Sequence, residues 1–310
     1  MFRTNSVRSA VAPVIQVASR GATMESIRVI DAHVHFWNPG ALHYPWLRSV
    51  PALRRAFLPG DFDSLASHAV DEVLFVEANC RPSESALELD FVDALAKCEP
   101  RIVGAVAYVD LCDPSTRDRA LEHLKMRPGV VGVRHNIQGT PRGFSLQPEF
   151  VTGVQAVGAK DLVFDLCITA DQLLEVTELV RRCPDTTFVL DHCGKPSIRS
   201  DAFEPWSTDL ARLAEYENVA CKLSGLASEA RPEQRSQEGL FRYARHAMYC
   251  FGSNRLMYGS DWPVVTTAGG DVAWRALVDG FISDWTTAGR QAFFSGNAIR
   301  LYGLRENAHN

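Results

Sequence analysis

Ile27-Arg28-Val29-Ile30-Asp31-Ala32-His33-Val34-His35 decides the fold. It reads as a buried strand that ends in polar residues. Working outward, runs of the same apolar, β-branched kind recur at Glu72–Ala78, Ile102–Val109, Val130–Asn136, Leu162–Cys167, Thr186–Asp191, Val219–Leu223 and Leu256–Ser260. Between them, Ser83–Cys98, Pro114–Arg127, Ala170–Arg182 and Trp206–Glu217 have the length and spacing of amphipathic helices, and Asp or Ser often precedes them as a cap. Eight strands alternating with helices over about 285 residues predict an α/β fold of the (β/α)8 TIM-barrel type. A doubly wound open sheet is the competing architecture, but no Gly-rich GxGxxG turn follows the first strand. No linker divides the chain, so residues 25–310 are expected to form one barrel domain.

The 310 residues are 46% apolar and 22% charged, with 32 basic and 37 acidic side chains and a formal charge of -5. Such a mixed-sign surface offers no field to gather phosphates, and no Lys/Arg cluster appears, which argues against nucleic-acid binding. No run of about 18 uninterrupted apolar residues exists to span a membrane. Eight cysteines are scattered without a CxxC pair, as in a chain with reduced thiols. Residues 1–24 carry Arg3, Arg8 and Arg20 with Ser6, Ser9 and Ser19, and the first acidic residue is Glu25. That composition predicts a mitochondrial targeting extension, with a disordered tail on a cytoplasmic protein as the alternative.

In a barrel the chemistry sits at the carboxyl ends of the strands. The first ends with His33 and His35, two residues apart, so their imidazoles project to the same side as a divalent-metal half-site. A pair of hydrogen-bonded structural histidines is the plainer alternative. The sixth run ends Leu190-Asp191-His192-Cys193-Gly194-Lys195-Pro196, placing an imidazole and a cation near the same mouth. The eighth ends Tyr258-Gly259-Ser260-Asp261-Trp262-Pro263, where Gly and Ser allow close backbone approach and Asp261 can bind metal or activate water. As a bare strand-end Asp it could instead cap a helix.

These motifs, together with Tyr44-Pro45-Trp46-Leu47, Val76-Glu77-Ala78-Asn79, Gly132-Val133-Arg134-His135, Phe164-Asp165-Leu166-Cys167, Lys222-Leu223-Ser224-Gly225 and Phe294-Ser295-Gly296-Asn297-Ala298, resemble the amidohydrolase-2 type branch of the amidohydrolase superfamily. Within it they most resemble the sugar-lactonase group. The resemblance runs from about Asp31 to Leu304 and implies hydrolysis by an activated water, with His33, His35, His192 and Asp261 at the metal and catalytic centre. Dinuclear members of the superfamily carry a strand-four lysine and a strand-five histidine. Here those strands read Val130-Val131-Gly132-Val133-Arg134-His135 and Phe164-Asp165-Leu166-Cys167, with neither residue. One divalent ion, zinc by its histidine and carboxylate ligands, is therefore expected at most, and metal-free catalysis stays open.

Opening a lactone needs a nucleophilic water, stabilisation of an oxyanion and a proton for the leaving ring oxygen. Asp261 is the expected general base, with His192 beside it. Arg134 or His135 is expected to reach the substrate, and a regular strand allows only one of them to line the barrel. Trp37, Tyr44, Trp46 and Trp262 are candidates for a sugar face, Glu77 and Asn79 for its hydroxyls, and Lys195 for an acidic group. The partner implied is a small-molecule lactone, and a homo-oligomer is compatible with it. Two other functions compete: a decarboxylase of the same superfamily, which would use Arg134 and Lys195 on a substrate carboxylate, and an inactive barrel that only binds.

Overall fold

A computed structural model describes residues 27–305. The targeting extension expected over residues 1–24 lies outside the described residues. Eight strands appear: β1 (Ile30–Val34), β2 (Glu72–Val76), β3 (Ile102–Tyr108), β4 (Val130–Arg134), β5 (Val163–Leu166), β6 (Phe188–Leu190), β7 (Val219–Leu223) and β8 (Leu256–Tyr258). They pair in parallel in chain order, β1 to β8. The seam between the last and the first is closed by Asp261 N–H to the His33 carbonyl at 2.9 Å and by His35 N–H to the Trp262 carbonyl at 2.7 Å. Each strand is followed by a helix: α1 (Asp63–Ala66), α2 (Ser85–Cys98), α3 (Pro114–Met126), α4 (Pro148–Gly158), α5 (Leu173–Arg182), α6 (Trp206–Ala214), α7 (Gln237–Arg255) and α8 (Asp271–Phe281). The protein is a (β/α)8 barrel, as the alternation predicts. Among the described residues no helix is long and apolar enough to cross a membrane.

Two short helices complete the described residues, α9 (Thr287–Gln291) and α10 (Asn297–Tyr302). The second plugs the amino-terminal end of the barrel. Its Ala298 and Tyr302, with Leu304 beyond it, pack against Ile30, Ala32, Leu74, Val76, Val106, Val163, Val189, Ala220 and Met257 to form the apolar interior of the barrel. The outward sides of the same strands, such as Val73, Phe75 and Val133, join the larger core beneath the helices. Parallel strands buried on both faces read as nearly continuous apolar runs, which is why all eight are visible in the sequence.

One irregularity positions the chemistry. Asp31 pairs with Val73, but Val34 pairs with Phe75, so β1 carries one extra residue over this stretch. Ile30 and Ala32 belong to the interior cluster, whereas Val34 joins the outer core. Strict alternation from Ile30 would send His33 and His35 outward to the helices. The bulge reverses the faces, and both imidazoles enter the barrel.

Candidate active site

Three strand ends converge on one point. The Nε2 atoms of His33 and His35 lie 3.2 Å apart. Asp261 Oδ1 stands 3.4 Å from His35 Nε2, 3.8 Å from His33 Nε2 and 4.0 Å from His192 Nε2. His192 (φ 53°) and Asp261 (φ 63°) both hold left-handed backbone, which is unfavourable outside glycine and is held here by the surrounding turns. The small neighbours are required. A Cβ on Gly225, itself at φ 69°, would meet the His192 ring at 2.8 Å, and one on Gly259 would meet His33 Cβ at 3.0 Å.

The far nitrogen of each ring is held from behind. His33 Nδ1 is 3.1 Å from Asp191 Oδ1, His35 Nδ1 donates to the Val76 carbonyl at 2.7 Å, and His192 Nδ1 is 2.8 Å from Ser224 Oγ. Such outer partners fix tautomers and leave the inward Nε2 lone pairs free. Burial drives the His33 imidazole well below its ordinary range and His192 down to about 4, so both are neutral at neutral pH. Burial opposes ionisation of Asp261, but His192, the hydrogen bond with His35 and the field of His33 outweigh it and hold the carboxyl below the usual carboxylate range.

Neutral imidazoles around a carboxylate suit a divalent ion. The ligand separations fall near about 3.4 Å, the edge of a tetrahedron around an ion with bonds of about 2.1 Å. His33, His35 and Asp261 form one cluster of potential ligands, and His33, Asp191 and His192 form another. The second is already served by a cation, because Lys222 Nζ is 3.1 Å from Asp191 Oδ1 and 3.3 Å from His33 Nδ1.

Beneath the histidines lies a floor of buried charge. Lys222 Nζ donates to Asp165 Oδ2 at 2.5 Å, and Tyr302 donates its hydroxyl hydrogen to Asp165 Oδ1 at 2.7 Å. Arg134 donates from Nε to Glu77 Oε1 at 2.6 Å and from Nη1 to Asp191 Oδ2 at 3.1 Å. Glu77 and Asp191 directly follow β2 and β6, Arg134 ends β4, and Asp165 and Lys222 lie in β5 and β7. The three pairs Glu77–Arg134, Arg134–Asp191 and Asp165–Lys222 are each 57 residues apart. Two barrel units separate alternate strands, and alternate strands supply each interior layer. Equal spacing of charges inside apolar runs was therefore the signal for the floor, and sequence reasoning missed it for Asp165, Asp191 and Lys222; Tyr302, on α10, carried no such signal.

The histidine cluster opens into a cavity of about 230 Å³ lined by His35, Trp46, Ala78, Asn79, Arg134, Asn136, Gln138, Cys167, His192, Lys195, Asp261 and Val264. Of the residues expected to touch substrate, Trp46, Asn79, Arg134 and Lys195 line it. Burial pulls the Lys195 ammonium down, but Cys167, Asp261 and Glu229 raise it further, so it stays charged.

Five others require correction. His135 turns away from the barrel because the strand is regular there. Its ring packs on Tyr108, Phe144 and Phe150, and its Nδ1 accepts from Leu111 N–H at 3.2 Å. Glu77 is closed to substrate because one oxygen holds Arg134 and the other accepts Asn79 N–H at 2.7 Å. Trp37 is fully buried beside Tyr44, Trp46 and Phe57, with its indole N–H donated to the Leu53 and Arg55 carbonyls. Tyr44 belongs to the same cluster, and Trp262 stacks on Phe62 at 4.9 Å. These three aromatic residues pack the loops that surround the cavity and do not line it. Asn136 and Gln138, which do line it, were not expected.

The amidohydrolase family profile matches residues 30–304. An L-fucono-1,5-lactonase of Burkholderia multivorans is 34% identical over 295 residues, covering 90% of this chain and 97% of the lactonase. The crystal structure of an amidohydrolase from Burkholderia multivorans with bound zinc superposes with a TM-score of 0.81 at 31% identity, over 90% of this chain and all of that one. A 5-carboxyvanillate decarboxylase from Sphingomonas paucimobilis has a TM-score of 0.63 at 16% identity over 90% of this chain and all of the other, a likeness of fold.

Proposed function

The chain belongs to the amidohydrolase family, and on that premise we propose that it is a lactonase that opens a sugar lactone with water activated by Asp261. The observation that carries this is the convergence of three imidazoles and one ionised carboxylate at the base of a small cavity. Asp261 takes a proton from the attacking water and returns it to the ring oxygen as that oxygen leaves. The deprotonated water adds to the carbonyl carbon, the ester C–O bond breaks, and the product is a hydroxy acid. His33, His35 and His192 present their Nε2 atoms to the reacting group, and their outer partners prevent the rings from turning. One divalent ion, with zinc suiting the donor set, would be held by His33, His35, His192 and Asp261 and would supply Lewis acidity for water and carbonyl when bound.

The decarboxylase alternative would need cations for a substrate carboxylate, and the Arg134 fork is turned to Glu77 and Asp191. An inactive barrel is disfavoured because His192 and Asp261, both lining the cavity, hold left-handed backbone, a strain that clusters at active sites.

The test is Asp261→Asn, assayed on aldonolactones with and without chelator. Asn keeps the shape but accepts no proton, so kcat should fall by roughly 10²–10⁴-fold. A variant with near-normal kcat on its best lactone removes Asp261 from the mechanism.

A further inference from the structure

We propose that Asn79, Asn136 and Gln138 form a selectivity wall, and that these three side chains read the hydroxyls of the lactone and so set its preference over an unsubstituted, aromatic or carboxylated one. The inference rests on the lactonase function proposed above and names the residues that set the selectivity of that same site.

Three carboxamides line the cavity, and the oxygen of each is held by a neighbouring donor. Asn136 Nδ2 donates to Asn79 Oδ1 at 3.2 Å, and Gln138 N–H donates to Asn136 Oδ1 at 2.9 Å. Lys195 Nζ donates to Gln138 Oε1. Each carboxamide oxygen thus has a donor already, while the amide hydrogens of Asn79 and Gln138 and the second hydrogen of Asn136 take no part in these bonds. A row of N–H donors with pinned oxygens suits hydroxyl oxygens along a sugar ring. Asn79 is fixed in place by its backbone, which is left-handed at φ 52°, and by its N–H bond to Glu77 Oε2. Asn tolerates that conformation better than most residues.

Charge narrows the class further. Arg134 lines the cavity, but its guanidinium is occupied by Glu77 and Asp191. Lys195 is bound by an amide oxygen instead of a carboxylate. One such cation matches the one carboxylate that ring opening creates and leaves none for a dicarboxylate. At about 230 Å³ the cavity also falls below the roughly 300–1,000 Å³ of drug-sized clefts, and among its lining residues Trp46 is the one aromatic ring besides the histidines. A flat aromatic lactone would leave the carboxamides dehydrated and unpaired, which is the usual basis for rejecting an analogue that lacks hydroxyls.

Gln138→Met and Asn136→Leu test the wall, with kcat/KM measured on an aldono-1,5-lactone, on unsubstituted δ-valerolactone and on dihydrocoumarin. The wild-type enzyme should prefer the aldonolactone. Each substitution should lower the ratio of kcat/KM for aldonolactone over δ-valerolactone by about tenfold, the value of one hydrogen bond. Gln138→Met replaces an exposed side chain, so it answers the question even if Asn136→Leu disturbs the turn that Asn136 caps. An unchanged ratio in Gln138→Met overturns the wall while leaving lactonase activity intact. A wild-type preference for dihydrocoumarin or for a carboxylated lactone overturns the substrate class. A wild-type enzyme that opens no lactone overturns the activity and the wall together.

Discussion

On the floor of the barrel, Lys222 stands between Asp165 and Asp191 with all three side chains closed to solvent, whereas the wall above uses half-buried Asn79 and Asn136 and exposed Gln138. Both regions are assembled by the same device, contacts across 57 residues between alternate barrel units. Their chemistry differs because their surroundings differ. Charges buried without water must be fully paired, and removing one partner exposes the desolvation cost of the other. Neutral amides beside solvent tolerate a vacant partner at small cost, so they can exchange water for substrate. The floor therefore governs whether the site exists, and the wall governs what it accepts.

The sharpest way to break this contrast is Lys222→Met. It leaves Asp165 and Asp191 facing each other without their ammonium, and loss of one partner from a buried ionic group costs about 3–5 kcal/mol. Denaturant unfolding should show that loss, and Asp165→Asn in the same chain should recover part of it, since the two residues share one interaction. A Lys222→Met protein as stable as the parent would mean the floor is hydrated or neutral.

The fold was legible because doubly buried parallel strands leave an apolar signature, and the metal-type residues because they stand at strand ends. The direction of His33 and His35 was not, since it depends on a bulge in β1 that composition does not announce. Three of the four aromatic candidates, Trp37, Tyr44 and Trp262, fall outside the cavity for a related reason. Trp37 and Trp262 follow strand ends as substrate-facing residues would, but long loops must bury apolar surface of their own. Glu77 and Arg134 were each read alone, while their roles are set by one another across the barrel.

A carboxyl behind the wall sharpens the comparison from the other side. Glu88 on α2 accepts Ala78 N–H at 3.2 Å, and burial with the field of Glu77 raises its carboxyl to about 8. It is protonated in the native protein at neutral pH and ionised in the unfolded chain above 4.5. Its contribution is present at low pH and is lost as pH rises from there through about 8. Glu88→Gln removes that titration, so the variant should gain on the parent by up to about 1.4 kcal/mol per pH unit over this window. Parallel stability curves for the two proteins from pH 6 to 8 would show that Glu88 is ionised in the fold.

The smallest expected effect is the most discriminating. Tyr302 sits on α10, at the opposite end of the barrel from the cavity, and its hydroxyl reaches Asp165 Oδ1 at 2.7 Å. Tyr302→Phe keeps the ring that packs in the interior cluster and stands 5.5 Å from Lys222 Nζ, and deletes one hydrogen bond to a buried carboxyl. Stability should fall by about 1–2 kcal/mol, as for other acceptors left partly unpaired. The ratio of kcat/KM for aldonolactone over δ-valerolactone should stay within about twofold, because Lys222 still holds both carboxylates and a preserved floor transmits nothing to the amides. Gln138→Met is expected to do the reverse, shifting the ratio with little change in stability. A selectivity shift in Tyr302→Phe comparable to that of Gln138→Met would show that floor and wall act as one unit, and the division of labour between charged layer and neutral rim would have to be abandoned.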